Sequence, residues 1–116
     1  MKILVVEDDS SSARVYADIL EYWGHAVSSA GSVSEALALV AARPFDSALV
    51  DVVLPDGDGF SLVERMREVQ PVLRCLIVSA VFDPEAQRKA QAIGADFRPK
   101  PLDFREIEEL FTAGTR

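Results

Sequence analysis

The sequence predicts an α/β domain, a five-stranded parallel sheet covered on both faces by five helices. Two observations carry this. Short apolar runs recur as continuous blocks, not as alternating ones, which suits strands buried on both faces. Segments of helical period separate them. A third observation points to one edge of that sheet. The runs end on acids, a serine or a lysine, and ligands of open parallel sheets gather beyond the carboxyl ends of the strands.

In order, Ile3-Leu4-Val5-Val6 makes the first strand, residues 2–6, and runs into Glu7-Asp8-Asp9. From Ser10 to about Trp23, Ala13, Tyr16, Ala17, Ile19, Leu20 and Trp23 fall on one helix face. Asp9 is expected to cap that helix and Gly24 to stop it. Residues 25–30 return to a strand. Ser32 and Glu35 have capping-box spacing. Val33, Ala36, Leu37, Val40 and Ala41 then keep the helical period up to Pro44. Residues 47–51 are the central strand, where Ala48-Leu49-Val50 delivers Asp51 to a loop containing Pro55, Gly57 and Gly59. Asp56 and Asp58 read as turn residues.

The third helix runs from Gly59 to about Val69, with Leu62, Val63, Met66 and Val69 as its apolar face and Pro71 beyond it. Residues 75–79 are the fourth strand, ending at Ser79-Ala80. Asp83-Pro84 offers an N-cap followed by proline at the first helical position. Ala86, Ala90 and Ile93 carry that helix to Gly94. Residues 96–98 form a short fifth strand. Asp103 and Glu106 repeat the capping-box spacing, and Phe104, Ile107, Leu110 and Phe111 face inward. Gly114-Thr115-Arg116 is expected to fray. Residues 1–116 read as one domain, with no repeat, linker or effector region.

Composition narrows the function. At 116 residues and 49% hydrophobic, the chain can bury a core of its own. No apolar run approaches the roughly 20 residues that span a bilayer. Met1-Lys2 leads straight into a strand, so no signal peptide is expected. Cys75 is the single cysteine and lies in an apolar run. It reads as a buried reduced thiol in a cytoplasmic protein. The net charge of −7 argues against direct contact with nucleic acid or insertion at anionic membranes. His25 reads as a surface residue at the start of a strand, with no Cys or second His nearby to complete a site.

The predicted sheet edge gathers Glu7, Asp8 and Asp51 with Lys100. Carboxylates at close range repel and coexist when a cation joins them. Oxygen ligands without Cys or His favour a hard ion, so Mg²⁺ is the expected metal. A free oxygen of Asp51 can then attack phosphorus as a nucleophile and form an acyl phosphate. Lys100 would neutralise phosphoryl oxygens as a point charge, and the Ser79 hydroxyl would donate to them. Lysine is scarce, at Lys2, Lys89 and Lys100 only. One lodged between Pro99 and Pro101 is poorly explained as a solvated side chain.

Taken together, Ile3 to Asp8, the segment from Asp51 through Leu54-Pro55 to Gly59, Ser79-Ala80, and Phe97 before Lys100-Pro101 resemble a receiver domain of the bacterial response-regulator family. The resemblance covers essentially the whole chain. It implies a flavodoxin-like, doubly wound sheet of strand order 2-1-3-4-5. It implies that Asp51 is the phosphoacceptor, loaded by a histidine kinase or histidine phosphotransfer protein. Asp8 would bind Mg²⁺ directly, Glu7 through water, and Val53 through its backbone carbonyl. Ser79 and Lys100 match the phosphate-contacting pair, and a cis bond before Pro101 would aim the lysine. Phe97 matches the aromatic switch position, although a plain core role suits it equally. Asp9, a third acid, follows the metal pair and faces away.

Loading would draw Ser79 toward the phosphate and let Phe97 rotate. The surface of the fourth helix, fifth strand and fifth helix would then change. Arg88, Lys89, Arg98, Arg105, Glu106 and Glu109 are placed there, on a face open to a homodimer, another partner or solvent. Three departures from the family pattern stand out. The stretch from Gly94 to Lys100 is one residue short, Pro99 precedes the lysine, and Val53 and Val81 put apolar groups where phosphate approaches. The two valines are expected to alter water access and so the phosphoryl lifetime. Two other functions compete. A nucleotide- or flavin-binding module would want a Gly- or Ser/Thr-rich cradle where Glu7-Asp8-Asp9 stands. An aspartate-nucleophile phosphatase would want an acid at Val53.

Overall fold

The computed structural model describes residues 1–80 and 83–113, the side chains at 104, 110, 112 and 113 excepted. Its elements are β1 (Lys2–Val6), α1 (Ser10–Tyr22), β2 (Ala26–Ala30), α2 (Val33–Ala42), β3 (Ser47–Asp51), β4 (Val53–Leu54), β5 (Gly57–Asp58), α3 (Gly59–Val69), β6 (Arg74–Ser79), α4 (Pro84–Ala92), β7 (Asp96–Pro99) and α5 (Phe104–Ala113). The main sheet is parallel, in the order β2-β1-β3-β6-β7. This is the expected 2-1-3-4-5 arrangement once the small antiparallel β4–β5 hairpin is set aside. That hairpin was not expected, because two-residue strands are too short to show a period.

The central strands β1, β3 and β6 are apolar along most of their length because they serve two cores. Ile3, Val5, Leu49, Leu76 and Val78 pack with Leu20 of α1 and Ile107 of α5. Leu4, Val6, Ala48, Val50 and Ile77 pack with Val40 of α2, Met66 of α3 and Ala90 of α4. Four described residues expected on helix faces lie outside these cores, Ala17 and Ala41 among them, the latter exposed. Val69 ends α3 and is exposed; the buried stripe stops at Met66. Trp23 is the C-cap of α1, with its ring edge-on to Tyr22. The expectations for Phe104, Leu110 and residues 114–116 fall outside the described residues.

The local signals hold. Asp9, Ser32, Asp58 and Asp83 are N-caps, accepting from Ser12, Glu35, Ser61 and Glu85 amides. Asp103 accepts the Glu106 amide at 2.8 Å. Asp58 is therefore more than a turn residue. Gly24 and Gly94 close α1 and α4 with φ of +91° and +70°, values that penalise any Cβ. Cys75 is buried, and burial pushes its thiol up to about 11. It is held as an unreactive thiol.

His25 differs from expectation. It precedes β2 instead of starting it, and it is half-buried. Its Nδ1 lies 3.1 Å from the Met1 amine. Burial first, and the terminal ammonium second, hold the imidazole below its ordinary range. Only the β1–β2 pairing brings the two residues together.

Candidate functional site

Parallel register assembles the site. Glu7 follows β1, and its amide donates to Ala30 at 3.0 Å. Asp51 is the last residue of β3, opposite Val78. Ser79 ends β6 opposite Pro99 of β7, an edge strand where a missing N–H is tolerated. The Lys100 amide then donates to the Ser79 carbonyl at 2.7 Å. The short spacing after Gly94 therefore does not displace the lysine. The Lys100-Pro101 bond is cis.

Lys100 Nζ lies 2.7 Å from Glu7 Oε2 and 2.7 Å from Asp51 Oδ2. Glu7 and Asp51 are 4% and 6% exposed, whereas Asp8 is open to solvent. One carboxylate oxygen from each of Glu7, Asp8 and Asp51 falls within 4.8 Å of the others. The Val53 amide donates to Asp51 Oδ1 at 3.2 Å. Both oxygens of Asp51 are thus held, one by the lysine and one by the backbone of β4.

The electrostatics are unbalanced. Burial opposes a charge on Lys100, but its bonds to Asp51 and Glu7 outweigh this and raise its pKa. Burial raises the Glu7 pKa, Asp51 adds to the rise, and Lys100 offsets only part of it. Three carboxylates face one ammonium. Two like charges about 4 Å apart near a protein surface repel by roughly 4 kcal/mol. A hard divalent cation fits this donor set, which is all oxygen and open to water on the Asp8 side.

A pH-dependent result follows. A carboxyl whose pKa is raised by folding binds its proton more tightly in the native state. Its contribution to stability therefore falls as pH rises from 4.5 through the folded value. Glu7→Gln removes that loss and keeps an oxygen for Lys100. In metal-free buffer the variant should melt above the parent at pH 7, and the gain should disappear below pH 4.5. An equal gain at both pH values would refute this origin.

The other expected residues divide. Asp9 faces away and caps α1, its carboxylate accepting from Ser12. The Val53 side chain is 72% exposed beside Asp51. Phe97 is buried in the core beneath α4. Val81 falls outside the described residues. Lys89 is a correction: its Nζ sits 5.7 Å from the centre of the Phe60 ring on α3, so it turns away from the surface shared with β7 and α5. Arg88 pairs instead with Glu85 within α4. Two residues read in the sequence as a loop glycine and a turn residue do more in the structure. At Gly59 a Cβ would strike the Asp51 carbonyl oxygen. Asp56 reaches across to α2.

Known proteins share this arrangement. The family model described as response regulator receiver domain matches residues 3–112. The transcriptional regulatory protein ZraR of Salmonella typhimurium is 36% identical over 108 residues, which is 92% of this chain and 24% of that protein. The photosynthetic apparatus regulatory protein RegA of Cereibacter sphaeroides is 34% identical over 96% of this chain and 61% of its own length. The chain thus spans about a quarter of ZraR and under two thirds of RegA.

Among solved structures, a CheY-like receiver domain protein from Methanospirillum hungatei superposes with a TM-score of 0.91 at 30% identity, over 97% of this chain and 90% of its own. A response regulator from Burkholderia pseudomallei, described with a phosphorylated aspartic acid, a calcium ion and citrate, gives 0.87 at 30% identity, over 93% of this chain and 64% of that one. The sheet order, the acids at its carboxyl edge and the matched residues have one explanation: the chain belongs to the response regulator receiver domain family.

Proposed function

We propose that Asp51 accepts the phosphoryl group, that Asp8 and Glu7 hold Mg²⁺, the latter through water, with the Val53 carbonyl, and that Ser79 and Lys100 contact the phosphate. The family and the acidic cluster make the chain a phosphoacceptor working with Mg²⁺, not an enzyme of turnover. One observation supports the choice of Asp51: it is the aspartate of the cluster that is both buried and bonded to Lys100, the other acid on that lysine being the glutamate Glu7 and Asp8 being exposed. The phosphorylated aspartic acid of the Burkholderia pseudomallei protein points the same way.

The transfer follows from these positions. An Asp51 oxygen forms the new O–P bond, and the P–N bond to the donor imidazole breaks. That nitrogen leaves with the electron pair and is protonated from solvent. Lys100 is already aimed at Asp51 and passes to a phosphoryl oxygen as charge leaves the carboxylate. When bound, Mg²⁺ supplies neutralising charge for the carboxylates and the incoming oxygens. The donor is a phosphohistidine of a histidine kinase or histidine phosphotransfer partner. We read residues 1–116 as one receiver domain working in the cytoplasm. No described helix is long and apolar enough to cross a membrane.

Loading adds close to two negative charges. Phe97 is buried below α4 and would rotate as Ser79 closes on the phosphate, reshaping the surface of α4, β7 and α5 for a partner or a second copy. The nucleotide-binding and phosphatase readings lose ground here. Glu7 and Asp8 occupy the place of a phosphate cradle, and the side chain at 53 is an exposed valine.

Incubation with acetyl phosphate and Mg²⁺, followed by peptide mass mapping, tests the assignment. One phosphoryl group should appear on Asp51, and none should form when chelator is present from the start. Amide shifts should then reach α4 and β7. Lys100→Met should slow labelling about 10²-fold, the typical loss for one transition-state contact. Label on another residue, or indifference to chelator, would reject the reading.

A further inference from the structure

We infer that Asp56 is a positioning residue for Asp51: by clamping the N-terminus of α2 it holds the β4–β5 hairpin, and through it the phosphoacceptor carboxylate. The inference rests on the assignment of Asp51 above. Its geometry begins at the hairpin tip. Asp56 Oδ1 accepts the Val33 amide at 2.7 Å, and Oδ2 accepts the Ser34 amide at 3.1 Å. Both donors are amides of α2, an element of the fold separate from the hairpin. A turn aspartate would satisfy its own backbone two residues on.

Helix α2 does not need Asp56 as an ordinary cap. Ser32 already fills that role, with its Oγ accepting the Glu35 amide at 3.2 Å and its carbonyl accepting the Ala36 amide at 3.1 Å. Glu35 turns back to the Gly31 amide at 3.2 Å. Asp56 takes the two donors that remain at the first turn. The partial positive charge of the helix N-terminus favours the carboxylate there. The two amides hold Asp56 below the usual carboxylate range. The tip also packs closely, since a Cβ on Gly57 would meet Val33 Cγ2 at 3.1 Å.

The hairpin, by contrast, needs an anchor. Its strands are two residues each, and a two-stranded hairpin is marginal by itself. Leu54 anchors one side in the core. Asp56 anchors the tip. The other end of the same hairpin meets Asp51, where the Val53 amide donates to Oδ1. The Gly59 amide donates to the Val52 carbonyl at 2.8 Å and closes the loop. A loosened tip would let the Val53 amide drift, leaving Lys100 alone to orient the carboxylate. Small errors in a reacting atom's position cost rate more than binding.

Asp56→Ala and Asp56→Asn test this with two readouts. Hydrogen exchange at Val33, Ser34, Val53 and Gly59 reports the clamp, with Val5 in the core as a control for global opening. Labelling by acetyl phosphate with Mg²⁺ reports the site. In Asp56→Ala all four amides should exchange faster while Val5 does not. The maximal labelling rate should fall about fivefold, with half-saturation by acetyl phosphate unchanged. Asn keeps one oxygen acceptor and should recover part of both. Faster exchange confined to Val33 and Ser34 would reduce Asp56 to a cap and overturn the inference. So would faster exchange at Val53 and Gly59 with unchanged labelling. A parent protein that takes no label would instead overturn the assignment of Asp51, and the exchange data would still report whether Asp56 holds the hairpin.

Discussion

Asp51→Asn should leave the protein folded and reduce labelling by acetyl phosphate at least about 10³-fold. Two losses combine. A neutral amide is a poor nucleophile toward phosphorus, so the O–P bond does not form. The change also removes one of three carboxylates and weakens the site's hold on a divalent cation. The fold should not suffer. An amide oxygen can still accept from the Val53 amide, as Oδ1 does at 3.2 Å. Lys100 keeps Glu7 at 2.7 Å, now without a competing buried charge. The melting temperature in metal-free buffer should therefore match or exceed that of the parent. Intact-protein mass and thermal melts check both halves. Full labelling of the variant would move the phosphoacceptor to another residue, with Asp8 the first to map.

Gly59→Ala should be the most damaging small substitution near the site, costing about 3 kcal/mol in urea unfolding. The reason is contact, not backbone freedom. An added Cβ would strike the Asp51 carbonyl oxygen and come within 3.1 Å of the Asp51 carbonyl carbon and of Val50 Cγ1. These atoms belong to β3, which is buried along its length between β1 and β6. Neither neighbour can yield cheaply, and any shift moves Asp51 itself. Labelling should slow along with the loss of stability. Gly31→Ala is the internal control, because its Cβ would meet only a glutamate oxygen at 4.0 Å. Equal costs for the two variants would show that β3 relaxes freely, contrary to its packing.

The site works as a charge balance held slightly out of balance. Lys100 neutralises part of the acidic cluster, but at Glu7 burial and the neighbouring Asp51 raise the pKa by more than Lys100 lowers it. The arrangement favours a divalent cation and, after it, the oxygens of a phosphoryl group. Acids loosely spread over a surface would show neither the shared lysine nor the burial.

Much of this was legible in the chain itself, wherever the controlling interaction is local or repeats along an element. The strands declare themselves because burial on both faces makes Ile3 to Val6 and Cys75 to Val78 continuous apolar runs. Ser32, Asp83 and Asp103 declare helix starts because a cap meets donors within one turn. The acids and Lys100 stood out because charged residues at strand ends gather at one sheet edge. Only the tertiary structure decided the rest. Asp56 on α2, Lys89 over Phe60, His25 beside the Met1 amine and Gly59 under Asp51 all join separate elements of the fold. No short-range pattern records such pairs, since residues distant in the chain meet only after strand register and helix packing have brought their elements together.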